Sequence, residues 1–372
     1  MSNRQPALLT GRSLSAKLTS PYHPLAKGAA VDSREHLRRE MTGFMQSSIL
    51  AAMAELDLGT AILEHGNRAG RAALARLLEC DPRGLEALLD ALASMEYLVK
   101  HGAGETAEYS VADAYRELLD SRHSATFIPI MRHMACVMRG WTRLTWAVKY
   151  GRPQERPASI LGPEQDRVSF IMGMNSVAVS LVDGTMRSLR EAGILPLGKA
   201  DARILDIGGA SGTYTQAFLE ALPEARATIF DLPVGIEQAR KRFTGTALEE
   251  RVTLVEGDFT RDELPAGHDF AWISAIIHQM NRQNSRDLYG KTRRALNPGA
   301  MVAVRDYVMS PDRTAPVDGA FFGINMLANT ERGMVYTFDE IREDLEQAGF
   351  ASVSLAVPAL SMSAVVVAHK DG

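Results

Sequence analysis

The stretch Ile204-Leu205-Asp206-Ile207-Gly208-Gly209-Ala210-Ser211-Gly212-Thr213-Tyr214 decides how the second half of the chain folds. An apolar run ends in an acid, passes through a turn of small residues and enters a helical pattern. Such a turn lets a ligand approach the backbone closely, and the N–H groups of the helix start face it. A dinucleotide fingerprint would need glycine where Ala210 and Thr213 stand, which weakens a nicotinamide or flavin reading.

Around this loop, short β-rich runs alternate with helical segments. Strands are expected at 203–207, 227–230, 252–256, 270–275 and 301–308, with helices at 216–222, 235–242 and 285–296 between them. This alternation predicts a mainly parallel sheet with helices on both faces. A helix over 337–348, a strand near 353–357 and a final buried strand at 364–367 close the chain. Two more acids end strands. In Ile229-Phe230-Asp231-Leu232-Pro233, Asp231 follows Gly212 by nineteen residues and places a carboxylate where it can accept both ribose hydroxyl protons. Val255-Glu256-Gly257-Asp258-Phe259 ends the third strand, where Asp258 could accept from an adenine amino group and Phe259 could cover the ring. A single strand-end Asp is often only a helix cap. Three in order, at successive strand ends, place a nucleoside-bearing cofactor at the switch point of the sheet.

Upstream the pattern is helical. Phe44, Met45, Ile49, Ala52, Met53 and Leu56 lie on one side of a helix that is expected to stop near Gly59. Asp81-Pro82 reads as an N-cap with proline at the first helical position, opening a helix over Leu85, Leu88, Leu89, Leu92 and Met95. Tyr97-Leu98-Val99 and Tyr109-Ser110-Val111, separated by a glycine turn, form a hairpin after the helices. Helices followed by a two-stranded wing suggest a winged-helix module. Between Met41 and Asp120, however, six Lys and Arg face thirteen Asp and Glu, a local balance of −7 that opposes phosphate binding. The module is therefore given a packing or dimerising role. Residues 1–32, rich in proline and glycine, read as an arm. Residues 123–192 read as helical, with Trp141, Trp146, Phe170, Met172, Met174 and Met186 mostly core, and 151–165 as a hinge broken by Pro153, Pro157 and Pro163.

The loop at 206–212 matches the Asp-x-Gly-x-Ala/Gly-x-Gly pattern of class I S-adenosylmethionine-dependent methyltransferases. With Ala51 to Leu58, Asp81 to Leu89, Phe230 to Pro233, Gly257 to Phe259 and Leu296-Asn297-Pro298-Gly299, the chain resembles the small-molecule O-methyltransferases of the plant caffeate and bacterial hydroxyneurosporene type. The resemblance runs from about Arg39 to the C-terminus. It implies an α/β fold, a Rossmann-like class I methyltransferase domain with a mainly parallel seven-stranded sheet, preceded by an α-helical winged-helix-like dimerisation domain. The divisions are then 33–122 for dimerisation, 123–192 for a linker that helps build the substrate pocket, and 193–372 for the catalytic domain. It also implies an intertwined homodimer and S-adenosylmethionine held by Asp206, Gly208, Gly209, Ser211, Gly212, Asp231, Leu232, Gly257, Asp258, Phe259 and Ser274.

The family's general base is a histidine just after the fourth strand, usually followed by Asp-Trp. Here Ile276-Ile277-His278-Gln279-Met280 keeps the histidine and replaces the pair. A histidine is partly neutral near pH 7 and can take a phenol proton as the methyl arrives. Asp306, at the end of the fifth strand, matches the first of two acids that flank the base in the plant enzymes. The second position falls within Gly333 to Thr337 and holds no carboxylate. Either His278 and Asp306 suffice, or the acceptor is acidic enough to need little help, or the reaction is not an ordinary O-methylation. By resemblance, Phe170 and Met174 form one pocket wall, and Phe322, Asn325, Met326 and Asn329 lie on the helix covering the substrate.

Composition bounds what remains. With 46% hydrophobic and 23% charged residues, 372 residues supply cores for two or three domains and exclude disorder. A net charge of −4 makes nucleic acid an unlikely main partner. Cys80 and Cys136 provide neither a disulfide framework nor a zinc cluster and fit a reducing cytosol. No carboxylate-rich metal site, no secretory signal and no apolar run of membrane-span length is apparent.

Overall fold

The computed structural model describes residues 33–195 and 197–371. The arm at 1–32 lies outside them. The chain enters through α1 (Ser33–Thr42) and α2 (Phe44–Glu55), turns at Asp57 in the left-handed region, and continues in α3 (Leu58–Glu64). The stripe expected on α2 is used only in its second half, since Met53 is buried while Phe44 and Met45 are exposed. Gly59 does not stop the helix. It sits inside α3 because a side chain there would collide with the Leu119 carbonyl, a contact sixty residues away in sequence. Next come β1 (Ala69–Gly70), α4 (Arg71–Leu77), α5 (Pro82–Ser94), β2 (Leu98–His101) and β3 (Glu108–Val111). Asp81 caps α5 by accepting from Gly84 N at 2.9 Å, with Pro82 in the first turn as expected. The wing is a three-stranded antiparallel sheet with β3 at its centre. Met53, Leu58, Ile62, Leu74, Leu89 and Tyr109 form one core beneath it.

α6 (Ile128–Trp141), α7 (Leu144–Tyr150) and the long α8 (Gly162–Glu191) bridge to the second half. Pro163 stands in the first turn of α8, where a missing N–H costs nothing, so it opens that helix rather than breaking it. Trp146, Phe170 and Met172 are 50%, 44% and 40% exposed, so they are not core in this chain, whereas Met186 is buried. α8 also corrects the reading of apolar runs. It contains an 18-residue window of mean hydropathy 1.3, long and apolar enough by length and composition to cross a membrane. Here it packs on α6 and, through its second half, on the first helix after the glycine loop.

The second half alternates β4 (Arg203–Ile207), α9 (Thr213–Ala221), β5 (Arg226–Asp231), α10 (Pro233–Phe243), β6 (Val252–Glu256), β7 (His268–Ser274), α11 (Arg282–Ala295) and β8 (Leu296–Asp306). There follow β9 (Val308–Met309), α12 (Val317–Asn329), β10 (Tyr336–Thr337), α13 (Phe338–Gln347), β11 (Phe350–Val357) and β12 (Ala364–Lys370). The seven strands lie in the order β11-β12-β8-β7-β4-β5-β6. β4 to β8 are parallel, and β12 is antiparallel to both its neighbours. Strand order reverses at β4, so a crevice opens at the carboxyl ends of β4 and β7.

Alternation along each strand sends side chains to two cores. Ile204, Trp272, Ala303 and Val365 pack under α8 and α9 with Phe218 and Met186. Leu205, Ile273, Val304 and Val366 pack under α11 and α13 with Leu288, Tyr289 and Leu345. The same rule assigns Asp206, Ser274 and Arg305 to the α9 face, and Asp306 to the other.

Candidate active site

The glycine loop joins β4 to α9 with Gly208, Ala210 and Gly212 all at positive φ. A side chain at Gly208 would run into Ile276 and reach the Phe259 ring, so this turn brings the ends of β4, β6 and β7 to one place. Asp206 lies behind the loop, backed by Gly209 and accepting from Thr215 Oγ1 at 2.6 Å. Burial pushes its carboxyl up to about 7, with the negative Asp231 adding to the shift. Asp231 stands at the edge of the crevice, where its carboxylate accepts from Ala210 N at 2.7 Å and from Leu232 N at 2.6 Å. Burial raises it too, against those two hydrogen bonds. Gly257 packs on the Phe230 ring. Asp258 ends its strand in a local turn, accepting from Thr260 N and Thr260 Oγ1, so its carboxylate is engaged by its own segment.

The loop is clasped from α8. Asn175 Oδ1 accepts from Ser211 Oγ at 2.7 Å, Thr213 Oγ1 at 2.9 Å and Arg242 at 2.7 Å. Arg242 also donates to the Ser211 carbonyl at 2.7 Å. Ser211 and Gly212 thus face inward support as well as the crevice.

His278 sits in a short turn after β7, 6% exposed, on the face opposite Asp206. Its Nδ1 lies 2.9 Å from both oxygens of Asp306. A carboxylate can only accept, so Nδ1 carries the proton and Nε2 is left basic. No described residue hydrogen-bonds Nε2. The ring of Phe322 meets the imidazole edge-on at 4.8 Å and 90°. The segment expected to bring a second acid reaches His278 through main chain only: Met334 N donates to the His278 carbonyl at 2.9 Å, and Thr330 holds Gly333 N.

The expected pocket residues divide. Phe322 flanks the base. Asn325 accepts from Trp141 Nε1 at 2.9 Å and from Asn329 Nδ2 at 2.9 Å, and Asn329 in turn accepts from Arg156, so both brace α12, against the end of α6 and against the segment between α7 and α8. Met326 turns into the interior. On α8, Phe170 and Met174 are partly exposed, and Phe170 meets His133 at 5.1 Å. His133 is held down to about 4, by burial first and by the positive Arg156 second.

Residues 137–351 match the O-methyltransferase domain, and residues 39–121 match the O-methyltransferase dimerisation domain. The chain belongs to the O-methyltransferase family. It is 29% identical to acetylserotonin O-methyltransferase of Bos taurus over 330 residues, 85% of this chain and 92% of that protein. It is 29% identical to 3-hydroxy-5-methyl-1-naphthoate 3-O-methyltransferase of Streptomyces sahachiroi over 217 residues, 58% of this chain and 61% of that protein. The crystal structure of human N-acetylserotonin methyltransferase in complex with S-adenosylmethionine superimposes with a TM-score of 0.74 at 24% identity, over 93% of this chain and all of that one. These matches make this chain an S-adenosylmethionine-dependent O-methyltransferase with a mostly parallel sheet behind a helical dimerisation domain, the fold expected from its sequence.

The crevice suits that cofactor. Small residues at 208–212 open the backbone at the helix start, Asp231 edges the crevice, and the Phe259 ring meets the loop at Gly208. Two residues beside the crevice, Asn175 and Arg305, and two on α6, His133 and Trp141, make contacts that the sequence reading did not assign. Asn175 and Trp141 act through partners 36 to 184 residues away, which no local pattern reveals. His133 looks like any polar residue on an amphipathic helix. Arg305 did leave a trace, a charge directly after the apolar run Met301 to Val304.

Proposed function

We propose that this O-methyltransferase moves the methyl of S-adenosylmethionine to a hydroxyl of an aromatic or polycyclic small molecule, with His278 as general base. The observation that carries the reading is the buried His278–Asp306 pair. Asp306 holds Nδ1–H and so presents Nε2 as the proton acceptor, and it stabilises the imidazolium that forms. Phe322 fixes the ring from the side, which limits its rotation. The cofactor supplies an activated methyl on a sulfonium, and the protein's part is to place donor and acceptor in line. Asp206, Gly208, Gly209, Ser211, Gly212, Asp231, Leu232, Gly257, Asp258, Phe259 and Ser274 would seat that cofactor. The apolar side chains of Phe170, Met174 and Phe322, two aromatic rings and an adaptable thioether, suit a flat acceptor. The two relatives are named for O-methylation of acetylserotonin and of 3-hydroxy-5-methyl-1-naphthoate, which agrees with such a pocket.

We place the divisions at 33–122, 123–192 and 193–372; separate apolar clusters beneath the wing and around the sheet support the outer two, and Ile128 and Met186 of the middle segment pack into one and the other. The exposed apolar residues Leu37, Met41, Phe44 and Met45 on α1 and α2 support burial of that end in a homodimer. Free Cys80 and Cys136 agree with a cytoplasmic setting. Incubation with S-adenosylmethionine and a panel of phenolic, naphthoic, indolic and polyketide acceptors is expected to yield a product heavier by about fourteen daltons that loses the gain when the hydroxyl is blocked. Methyl gain on carbon or nitrogen instead would defeat the reading.

A further inference from the structure

Arg305 is 3% exposed at the end of β8, on the sheet face turned toward α9. Its Nη1 donates to Ser274 Oγ at 2.9 Å, and its guanidinium lies over the Tyr214 ring at 5.2 Å. Its Nε is buried with no hydrogen-bond partner, and among the described residues no carboxylate forms an ion pair with it. A cation so placed is costly unless an anion answers it. The pleat puts one acid, Asp206, on the same face at the end of β4, but its carboxyl is engaged by Thr215 and burial favours its neutral form. The protein therefore leaves a guanidinium unanswered beside the crevice, next to Ser274 of β7.

The rest of the crevice indicates which anion fits. Asp231 and Phe259, at the ends of β5 and β6, are suited to a ribose and a purine. A ligand lying across the strand ends with its nucleoside there points its other end toward β4, β7 and β8. In S-adenosylmethionine that end is an amino acid with a free carboxylate, and a guanidinium is the side chain best shaped to receive one. Resting on the cofactor reading above, we infer that Arg305 binds the amino-acid carboxylate of the cofactor and is a determinant of affinity for that end of the molecule.

The test separates the two ends of the ligand. Calorimetry would compare S-adenosylhomocysteine, which carries the carboxylate, with 5′-methylthioadenosine, which lacks the amino-acid end. Arg305→Met is expected to weaken S-adenosylhomocysteine about 10- to 100-fold, as for a lost charged hydrogen bond, and to leave 5′-methylthioadenosine within about twofold. Arg305→Lys, which keeps the charge, is expected to restore part of the difference. If Arg305→Met does not fold, Arg305→Gln gives the same ratio. Unchanged affinity for S-adenosylhomocysteine in a folded variant would overturn the inference while leaving the cofactor reading intact. Equal losses for both ligands would overturn it too, since they mark a structural role. Failure of the unmodified protein to bind either ligand would remove the cofactor reading itself.

Discussion

Arg305 and Asp306 are consecutive residues of one strand, both buried, and the pleat sends them to opposite sides of the same sheet. On one side Asp306 is fully engaged, with both oxygens on His278 Nδ1 and one also accepting from Tyr307 N. On the other, Arg305 has a serine hydroxyl, an aromatic face and an unpaired Nε. The difference teaches which side is complete without ligand. The Asp306 side has its carboxylate fully hydrogen-bonded within the protein, whereas the Arg305 side holds a guanidinium with an unpaired Nε. In the function proposed above, chemistry and donor recognition fall to opposite faces at the end of a single strand.

That separation can be broken experimentally. The largest effect is expected from His278→Ala, which should lower kcat by about 10²–10⁴-fold with a responsive acceptor while leaving affinity for S-adenosylhomocysteine nearly unchanged. A comparable loss of affinity would show that the two sides are not independent. Asp306→Asn should cost less, about 10- to 10³-fold in kcat, because the imidazole remains but loses the charge that fixes its tautomer. Single-turnover rates would measure it, and an unimpaired rate would remove Asp306 from the mechanism.

The smallest effect lies away from both sides, at His133. Its folded pKa is about 4, below that of an unfolded histidine, so the unfolded chain binds more protons between roughly pH 6.5 and 4. Its contribution to stability is complete above pH 6.5 and is lost as pH falls through that window. Urea unfolding at pH 7 and pH 4 should show the natural protein losing on the order of 2 kcal/mol more than His133→Phe. Parallel pH dependences would show that His133 is solvated rather than desolvated in the fold.

Much of this was legible in sequence, for reasons that can be named. The β/α alternation after Arg203 and the acids at the ends of β4 and β5 are local signals at positions that the sheet topology dictates, whereas the His278–Asp306 pair was expected from the resemblance to the O-methyltransferases. Asp81-Pro82 marked the start of α5 because capping is a matter of four adjacent residues. What escaped depends on chain segments that meet only in three dimensions. Gly59 looked like a helix stop, yet it is required by the approach of Leu119. Trp146 and Phe170 looked like core, yet the helices that carry them have more apolar surface than this single chain covers. Arg305 was visible as a charge at the end of an apolar strand, but its significance needed the pleat, Ser274 and the missing carboxylate together.

α8 has one more consequence. Met174, on the expected acceptor wall, and Asn175, which clasps the glycine loop, are adjacent residues of a thirty-residue rod. Laboratory evolution that enlarges the acceptor range through this helix would also retune the seat of the methyl donor. Libraries drawn from α12 instead, around Phe322, would alter acceptor choice without that entanglement.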